Sequence, residues 1–298
     1  MSLLELHETL RDRAEIELYL KPLDKSPSPI HIGSGGSELI KTIVRFPVKG
    51  KLLPIIPSES IKGVLRANAM GISKQLLWKG DVAIAVLAHT KKDSHDVANN
   101  PEFLKKAQDF VNENFTESQR NEIIDKASEI YASAICPICR LFGSRYLAGK
   151  LQITDSVPEG NPRILTYTSV AINRKTRTAE QNRLFTLEYL EPSQELAFKF
   201  TIIADNVEGN PEALLLAQLL EFLLRSGIRL GGAKSRGYGA LKLDENRSSV
   251  KEVKFNIGQV GPQERLENVR RLLMKEGYYK KMSLHEYIQL LKAGYSLL

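Results

Sequence analysis

The 298-residue chain carries 42 lysine and arginine residues against 35 aspartate and glutamate residues, which gives a net charge of +7 and a pI near 9.2. Its hydrophobic content of 42% is ordinary for a globular protein, and the sequence has no apolar run of about eighteen residues that would predict a membrane span. The first residues lack the basic and cleavable regions of a secretion signal. We therefore expect a cytoplasmic protein, and its basic charge permits a polyanionic partner.

A predicted strand and a basic loop open the chain. Ala14 to Leu20 alternates apolar and charged side chains, as a half-buried strand does. Residues 37–51 contain a single acid, Glu38, among four basic residues, so this segment is either a contact strip for a phosphate backbone or a solvated basic surface. His31, just before the loop, either takes part in binding or packs at the strand end. The four basic residues are Lys41, Arg45, Lys49 and Lys51.

A helix with anion-binding features is predicted to begin near Ser58. A serine is a suitable N-cap residue, and an apolar, proline-containing approach precedes it. Ser58 and Ser60 would lie at the positive end of the helix dipole, while Lys62 and Arg66, four residues apart, would share one face. This combination favours an anionic ligand at the start of the helix.

Residues 80–139 are predicted to form a largely helical insertion into the core. Apolar residues recur at helical spacing in two parts of it, residues 102–114 and 117–134. The insertion therefore adds a helical layer to a mixed fold.

The chain's only two cysteines, Cys136 and Cys139, end this insertion as a C-x-x-C pair. In a reducing compartment such a pair is typical of a metal half-site or a redox pair. His89 and His95, earlier in the insertion, would complete a Cys₂His₂ set for structural zinc. The alternatives are two reduced buried cysteines or a disulfide.

A strongly basic segment precedes a predicted hairpin. Phe185 to Leu190 and Glu195 to Ile203 alternate well, and we expect these two strands to pair with each other. Val170 and Ile172, within the basic segment, are either an exposed apolar wedge or ordinary strand residues. The basic residues of the segment are Arg163, Arg174, Lys175, Arg177 and Arg183.

A glycine-rich basic loop, residues 230–239, follows a predicted helix over Pro211 to Ser226. Its four glycines would let the backbone take positive φ and bring N–H groups up to an anion. We call this segment the glycine loop. It is either a phosphate-binding element or a turn before an edge strand. Its candidate binding residues are Gly231, Gly232, Lys234, Ser235 and Arg236.

The order strand, helix, strand, hairpin, helix, strand approximates a ferredoxin-like βαββαβ core, and therefore an α+β fold, within residues 1–243. Residues 244–298 differ in pattern and are predicted to form a helical extension. Two amphipathic helices are expected there, over residues 262–275 and 283–292. The extension either packs on the core or contacts another subunit.

Five motifs in a common order make the chain resemble the RAMP superfamily of CRISPR-associated proteins. The resemblance covers about Ile16 to Leu243 and is strongest to the repeating backbone subunits of type III, Csm/Cmr-like, effector complexes. It implies an RRM-like ferredoxin core, with residues 80–139 as a lid and residues 163–195 as a thumb hairpin. The motifs are His31-Ile32-Gly33, the helix start from Pro57 to Gly63, Cys139-Arg140-Leu141-Phe142-Gly143, Asn173-Arg174-Lys175-Thr176, and the glycine loop.

The resemblance also implies partners. Subunits of this kind serve antiviral defence in a ribonucleoprotein, hold a CRISPR guide RNA opposite complementary target RNA, and stack head to tail with other RAMP subunits. No membrane is involved. Contacts to the RNA backbone would leave sequence specificity to base pairing.

Catalysis is where the chain departs from the family. Active backbone subunits carry a metal-supporting aspartate shortly before the proline that matches Pro47, and the position here is most naturally Arg45, which cannot bind a divalent metal. We therefore expect an RNA-binding subunit that does not cut its target. The alternatives are a metal-dependent target-cleaving subunit with Glu38 as substitute acid, and a guide-processing endoribonuclease with His31 as general base. A basic scaffold outside CRISPR systems explains none of the ordered motifs.

Overall fold

The computed structural model describes most of residues 12–295, and none of the helices within the described ranges has the length and apolar character needed to cross a membrane. Within the strands, the side chains of residues 171 and 180–184 are not described. The described ranges are residues 12–25, 27–35, 40–48, 50–90, 94–97, 100–160, 162–173, 175–193, 195–253, 261–263, 266 and 280–295.

An antiparallel sheet built on β1 (Arg13–Pro22) lies at the centre of the fold. Alternate residues of β1 are buried, which confirms the predicted half-buried strand. β9 (Ala197–Asp205) pairs along one edge of β1, and β11 (Ala240–Leu243) and β12 (Ser249–Val253) share the other edge. Short strands complete the sheet: β5 (Leu151–Ile153) and β6 (Val157–Glu159) on β9, β10 (Ile228–Arg229) on β11, and β13 (Lys280–Met282) on β12.

Two long helices cover this sheet, α1 (Ser58–Ser73) and α7 (Pro211–Ser226). The bounds of α7 are those predicted, since proline suits the first helical position and Gly227, with φ of +66°, ends the helix. The two helices contact each other, and their apolar faces enter one buried cluster with the central strands.

The insertion is helical, as predicted, but its second half is broken into several pieces. A 3₁₀ turn, Ile124–Lys126, divides the predicted helix over residues 117–134. Phe103 packs against Tyr131 and thereby joins two of these helices. The helices are α2 (Gly80–Ala88), α3 (Pro101–Asn114), α4 (Glu117–Ile123), α5 (Ala127–Ile135) and α6 (Pro137–Phe142).

A second sheet corrects the predicted hairpin. β8 (Ala179–Leu190) pairs with β7 (Ile164–Ile172), whereas β9 pairs with strands of the central sheet. Alternation correctly identified both strands, but alternation specifies which residues share a face and does not specify the partner strand. β2 (Ile40–Lys41) runs parallel to the other edge of β8, and β3 (Arg45–Val48) forms a separate hairpin with β4 (Lys51–Pro54).

The described part of the C-terminal extension packs on the core. β12 and β13 extend the central sheet, and α8 (Leu284–Tyr295) lies on α7 with Tyr287, Ile288 and Leu291 buried. The Ser283 hydroxyl accepts a hydrogen bond from the N–H of Glu286 at 3.2 Å, so the predicted helix start is confirmed. The other predicted helix, over residues 262–275, lies mostly outside the described residues. The molecule is therefore a mixed α/β fold with antiparallel sheets, and a domain boundary at residue 243 stays a prediction.

Candidate nucleic-acid interface

The glycine loop is fixed against the segment that follows β1. The N–H of Gly232 donates to the carbonyl oxygen of His31 at 2.8 Å, and the N–H of Gly239 donates to that of Pro29 at 2.8 Å. Gly231 and Gly239 have φ of +82° and +76°, and a Cβ atom at either position would overlap a backbone carbonyl group. Glycine is therefore required at both positions for the loop to take this shape.

The tip of the loop faces solvent. Lys234, Ser235 and Arg236 are exposed and form a single 3₁₀ turn between two left-handed residues, Ala233 and Gly237. Lys234 and Arg236 form no ion pair with a described acid, so no described carboxylate neutralises either exposed charge. The loop thus presents two cations on a backbone whose geometry is fixed from below.

His31 packs and does not project into solvent. His31 is 5% exposed, and Nδ1 donates a hydrogen bond to the carbonyl oxygen of Glu188 at 2.7 Å. The ring also lies against two glycines, since a Cβ added at Gly33 or Gly232 would come within 3.1 or 3.0 Å of it. His31 therefore joins the glycine loop to β8, and this burial argues against its use as a general base.

Aromatic contacts, which the sequence interpretation missed, dock the loop on the second sheet. The Arg236 guanidinium lies 5.0 Å from the centre of the Phe185 ring, and Tyr238 meets Tyr189 edge-to-face at 6.0 Å between ring centres. The available signal was the alternation in β8, which places Phe185 and Tyr189 on one face.

The start of α1 differs from the prediction. Ser58 is the first helical residue, Pro57 occupies the N-cap position, and no side chain of the N-cap residue caps the helix. Instead the N–H of Ser58 donates to Oδ1 of Asp155 at 2.7 Å. The expected N-cap role of Ser58 is therefore wrong, because a carboxylate from the segment after β5 satisfies this amide at the positive end of the helix.

The cations of α1 are only partly available to a ligand. Ser60, Lys62 and Arg66 are all half-buried. Arg66 donates from Nη2 to the carbonyl oxygen of Gly143 at 3.0 Å, so it ties α1 to the end of the insertion. Lys62 is the better candidate for an RNA contact on this helix.

A series of backbone hydrogen bonds connects the glycine loop to the approach to α1. Beyond the bond between Gly232 and His31, the N–H of Val44 donates to Ile32 at 2.8 Å and the N–H of Ile55 donates to Val44 at 3.2 Å. The two elements therefore belong to one continuous, hydrogen-bonded region.

Arg45 is engaged by an acid of β8. Its Nη2 lies 3.0 Å from Oε2 of Glu188, which also accepts the N–H of Ile43 at 3.0 Å. Burial alone would raise the pKa of Glu188, but the hydrogen bonds from Arg45 and Ile43 outweigh it and hold this pKa below its ordinary value. Arg45 is therefore a structural ion-pair partner as well as a candidate RNA contact.

The remaining basic candidates divide between exposed and undescribed positions. Lys41 on β2, Lys51 on β4, and Lys175 and Arg177 at the β7–β8 turn are exposed. At that turn the Asn173 side chain accepts the N–H of Lys175 at 2.9 Å, and Arg177 has φ of +55°. Val170 and Ile172 are strand residues and also exposed, at 41% and 67%. Glu38, Lys49 and Arg174 lie outside the described residues.

The two cysteines and two histidines named from the sequence meet inside the insertion. His89, His95, Cys136 and Cys139 are all buried, and their ligand atoms lie within 4.8 Å of one another. We call these residues the His/Cys cluster. The cysteines are not disulfide-bonded. The C-x-x-C spacing and the two upstream histidines therefore predicted a real spatial cluster.

The distances in the His/Cys cluster suit a tetrahedral ion. Ordinary Zn–N and Zn–S bonds place two ligand nitrogens about 3.3 Å apart and a nitrogen and a sulfur about 3.6 Å apart. Here His89 Nδ1 lies 3.2 Å from His95 Nε2, and 3.7 and 3.6 Å from Sγ of Cys136 and Cys139. Cys139 Sγ lies 3.9 Å from His95 Nε2. The donor set is that of a structural zinc site.

The two thiols of the cluster titrate differently. A hydrogen bond from the Cys139 thiol lowers the pKa of Cys136; burial opposes this effect, while hydrogen bonds to His89 and His95 support it. The same bond, with Cys139 as the donor, raises the pKa of Cys139, as burial also does. The first thiolate of the pair is therefore formed easily, as metal binding requires.

A buried ion pair joins the insertion to the core. Nε of Arg140, on α6, donates to Oε2 of Glu212 at 2.7 Å, and Nζ of Lys150 reaches the other oxygen of the same carboxylate. The Glu212 side chain is fully buried at the first turn of α7. Arg140 of the Cys-Arg-Leu-Phe-Gly motif therefore has a structural role.

Comparison with known proteins identifies the family. A model of the RAMP superfamily matches residues 25–242. The chain belongs to the RAMP superfamily. Curated protein sequences gave no significant match.

Among solved structures, this RAMP chain is similar to a chain from the cryo-EM structure of Type III-B Cmr-beta bound to cognate target RNA. The identity is 16% and the TM-score is 0.44, over 85% of this chain and 64% of the other. The RAMP chain thus spans less than two thirds of that relative's length.

Proposed function

We propose that this RAMP protein is an RNA-binding subunit of a type III CRISPR effector complex, and that it holds the backbone of the guide RNA without cutting the target. The observation that carries the proposal is the glycine loop. Its fixed backbone presents Lys234, Ser235 and Arg236 to solvent, where they can contact phosphates of any sequence. Complementary target RNA and other RAMP subunits are the proposed partners, and the cytoplasm is the proposed location.

The strand order supports the finer ferredoxin-like assignment of the core. β11, β1, β9 and β5 are neighbours in that order, with α1 after β1 and α7 after β9. This is the arrangement expected when two βαβ halves interleave into one antiparallel sheet. Residues 80–139 and 163–195 are then the proposed lid and thumb.

The absence of cleavage is proposed on chemical grounds. Arg45 stands where active relatives of the family would place an aspartate, and its guanidinium pairs with Glu188. A guanidinium neither binds a divalent cation nor accepts a proton at neutral pH. This subunit therefore leaves the target uncut, and target cleavage belongs to other subunits.

We also propose that the His/Cys cluster holds a structural Zn²⁺. All four ligands come from the protein, which leaves no open position for a substrate or a reactive water. When bound, the ion would cross-link the segments of the chain that supply these ligands and would take no part in a reaction. Its role is to fix the end of α2 and the start of α6, and so to hold the insertion on the core.

Binding to single-stranded RNAs of two unrelated sequences tests the function. We expect similar dissociation constants for the two RNAs, and at least about tenfold weaker binding by a Lys234→Ala/Arg236→Ala variant, since each phosphate contact has an electrostatic share. A matched control removes two exposed cations from the insertion, Lys105→Ala/Lys126→Ala, and should bind as the wild type does. Equal loss in both variants would show that only net charge matters and would contradict the proposal.

Cleavage is tested on the purified native assembly with complementary RNA and Mg²⁺. We expect an assembly that contains the Arg45→Ala variant of this subunit to cleave target RNA at the same rate as an assembly that contains the wild-type subunit. Cleavage abolished by Glu38→Ala would instead identify an active target-cutting subunit. Cleavage of guide precursor in EDTA, abolished by His31→Ala, would identify a processing enzyme.

A further inference from the structure

One face of the β7–β8 hairpin carries six side chains, five of which are aromatic or apolar. The register pairs Leu165 with Tyr189, Tyr167 with Leu187, and Ser169 with Phe185. Directly opposed residues of an antiparallel pair lie on the same face, so these six side chains form one surface. We call it the aromatic face.

The glycine loop covers part of the aromatic face. Arg236 lies over Phe185 and Tyr238 meets Tyr189, and both contacts occur at the β8 edge of the face. Tyr167, on β7, is left 56% exposed. Tyr167 is paired with Leu187 and is therefore diagonal to both Phe185 and Tyr189, the two rings that the loop contacts, on the same face of the hairpin. Tyr167 therefore offers an open ring beside the basic turn.

A second cation flanks the same face. β2 pairs in parallel with β8, which places Lys41 beside Leu187, on the opposite side from Tyr167. Lys41 and Tyr167 are thus separated by two strand spacings, about 10 Å, across the buried Leu187. Both residues are exposed. The aromatic face is therefore bordered by Lys41 on one side, while Arg236 of the glycine loop lies over Phe185 on the same face.

We propose that Tyr167 is a stacking platform for one unpaired base of a single-stranded RNA, whose flanking phosphates are bound by the glycine loop and Lys41. The inference rests on the proposed function and adds a base-binding position to a backbone-binding surface. Open aromatic rings beside cations are the combination by which proteins hold single strands without sequence preference, since every base has a π face. A buried Tyr167 could not stack on a base. If this face contacted only water, an exposed aromatic ring would have no function there.

The test uses the full chain and a single-stranded RNA that carries one 2-aminopurine, whose fluorescence falls on stacking. We expect Tyr167→Ala and Tyr167→Leu to weaken binding about 5- to 100-fold and to abolish the quenching, since one stacked base contributes on that scale. Tyr167→Leu keeps apolar bulk in the strand, so loss of binding in both variants is not a folding defect. Tyr167→Phe keeps the π face and should behave as the wild type does.

The control is Thr166→Ala, on the opposite face of the same strand, which should leave affinity and quenching unchanged. Two failures are distinguishable. If the wild type binds RNA through Lys234 and Arg236 but Tyr167→Leu binds within twofold of it with the same quenching, the stacking inference alone is wrong. If the wild type binds no RNA, the proposed function fails and the inference falls with it.

Discussion

The N–H of Gly232 donates a hydrogen bond to the carbonyl oxygen of His31 at 2.8 Å, while Nδ1 of His31 lies 2.7 Å from the carbonyl oxygen of Glu188. A single buried histidine residue therefore connects the glycine loop, the segment after β1 and the second sheet. The bond to Gly232 joins two backbone groups, so the loop's shape at this point depends on backbone conformation, while the His31 imidazole makes the contact to β8. The exposed cations can then act on a surface that is already ordered.

Replacing a glycine of the loop tests this conformational requirement. Gly237 and Gly239 both have positive φ, but only at Gly239 would a Cβ atom overlap a backbone group, the carbonyl of Leu230. We expect Gly237→Ala to lower the free energy of unfolding by about 1–2 kcal/mol, the cost of the left-handed conformation, and Gly239→Ala to lower it clearly more. Urea-induced unfolding measures both. Equal effects would mean that the overlap is relieved at no cost.

Breaking the buried ion pair should destabilise the protein strongly. Glu212→Ala leaves Arg140 and Lys150 without their carboxylate, and we expect a loss of about 3–5 kcal/mol in the free energy of unfolding. The matched control is Glu221→Ala on the same helix, whose partly exposed pair with Lys292 should contribute at most about 1 kcal/mol. A loss below that of Glu221→Ala would contradict a structural role for Arg140.

Metal analysis tests the His/Cys cluster. We expect about one zinc per chain by elemental analysis, and a strong reduction in Cys136→Ser and His95→Gln. His285→Gln, at an exposed histidine, should keep the wild-type zinc content. A strong chelator should lower the melting temperature of the wild type and leave that of Cys136→Ser unchanged. Wild-type protein purified without stoichiometric metal, and unable to take up added zinc, would refute the site.

The Arg45–Glu188 pair predicts a pH dependence of stability. The pKa of Glu188 is lower in the folded protein than its ordinary value near 4.3, so the folded state binds fewer protons than the unfolded state. The stabilisation is therefore fully present above the ordinary pKa and is lost as pH falls through the folded pKa. Glu188→Gln should lose less unfolding free energy than the wild type between pH 5 and pH 3. Parallel losses in the two proteins would contradict the assignment.

Local patterns predicted much of the secondary structure. The alternation in β1 and the apolar periodicity and terminal residues of α7 were sufficient, because each pattern acts within its own element. The His/Cys cluster was also predictable, since zinc ligands have a narrow chemistry and a short internal spacing.

Long-range choices were not predictable from the same patterns. The predicted pairing of β8 with β9 was wrong, because the alternation in β8 is compatible with any adjacent strand that has an apolar side and a polar side. The start of α1 is satisfied by Asp155, and Arg45 by Glu188, both distant in sequence. The contact of Arg236 with Phe185 likewise required the fold. Contacts between residues on different elements could therefore not be predicted from local sequence patterns.

The salt dependence of RNA affinity tests the central claim most directly. Affinity falls as salt concentration rises, and each phosphate contact to a single strand makes the negative slope of log affinity against log salt concentration steeper by about 0.7. We therefore predict equal slopes for two RNAs of unrelated sequence. In the Lys234→Ala/Arg236→Ala variant, which loses two phosphate contacts, the negative slope should be less steep by about 1.4. A slope unchanged by that variant, or wild-type affinities that differ strongly between the two sequences, would contradict the account.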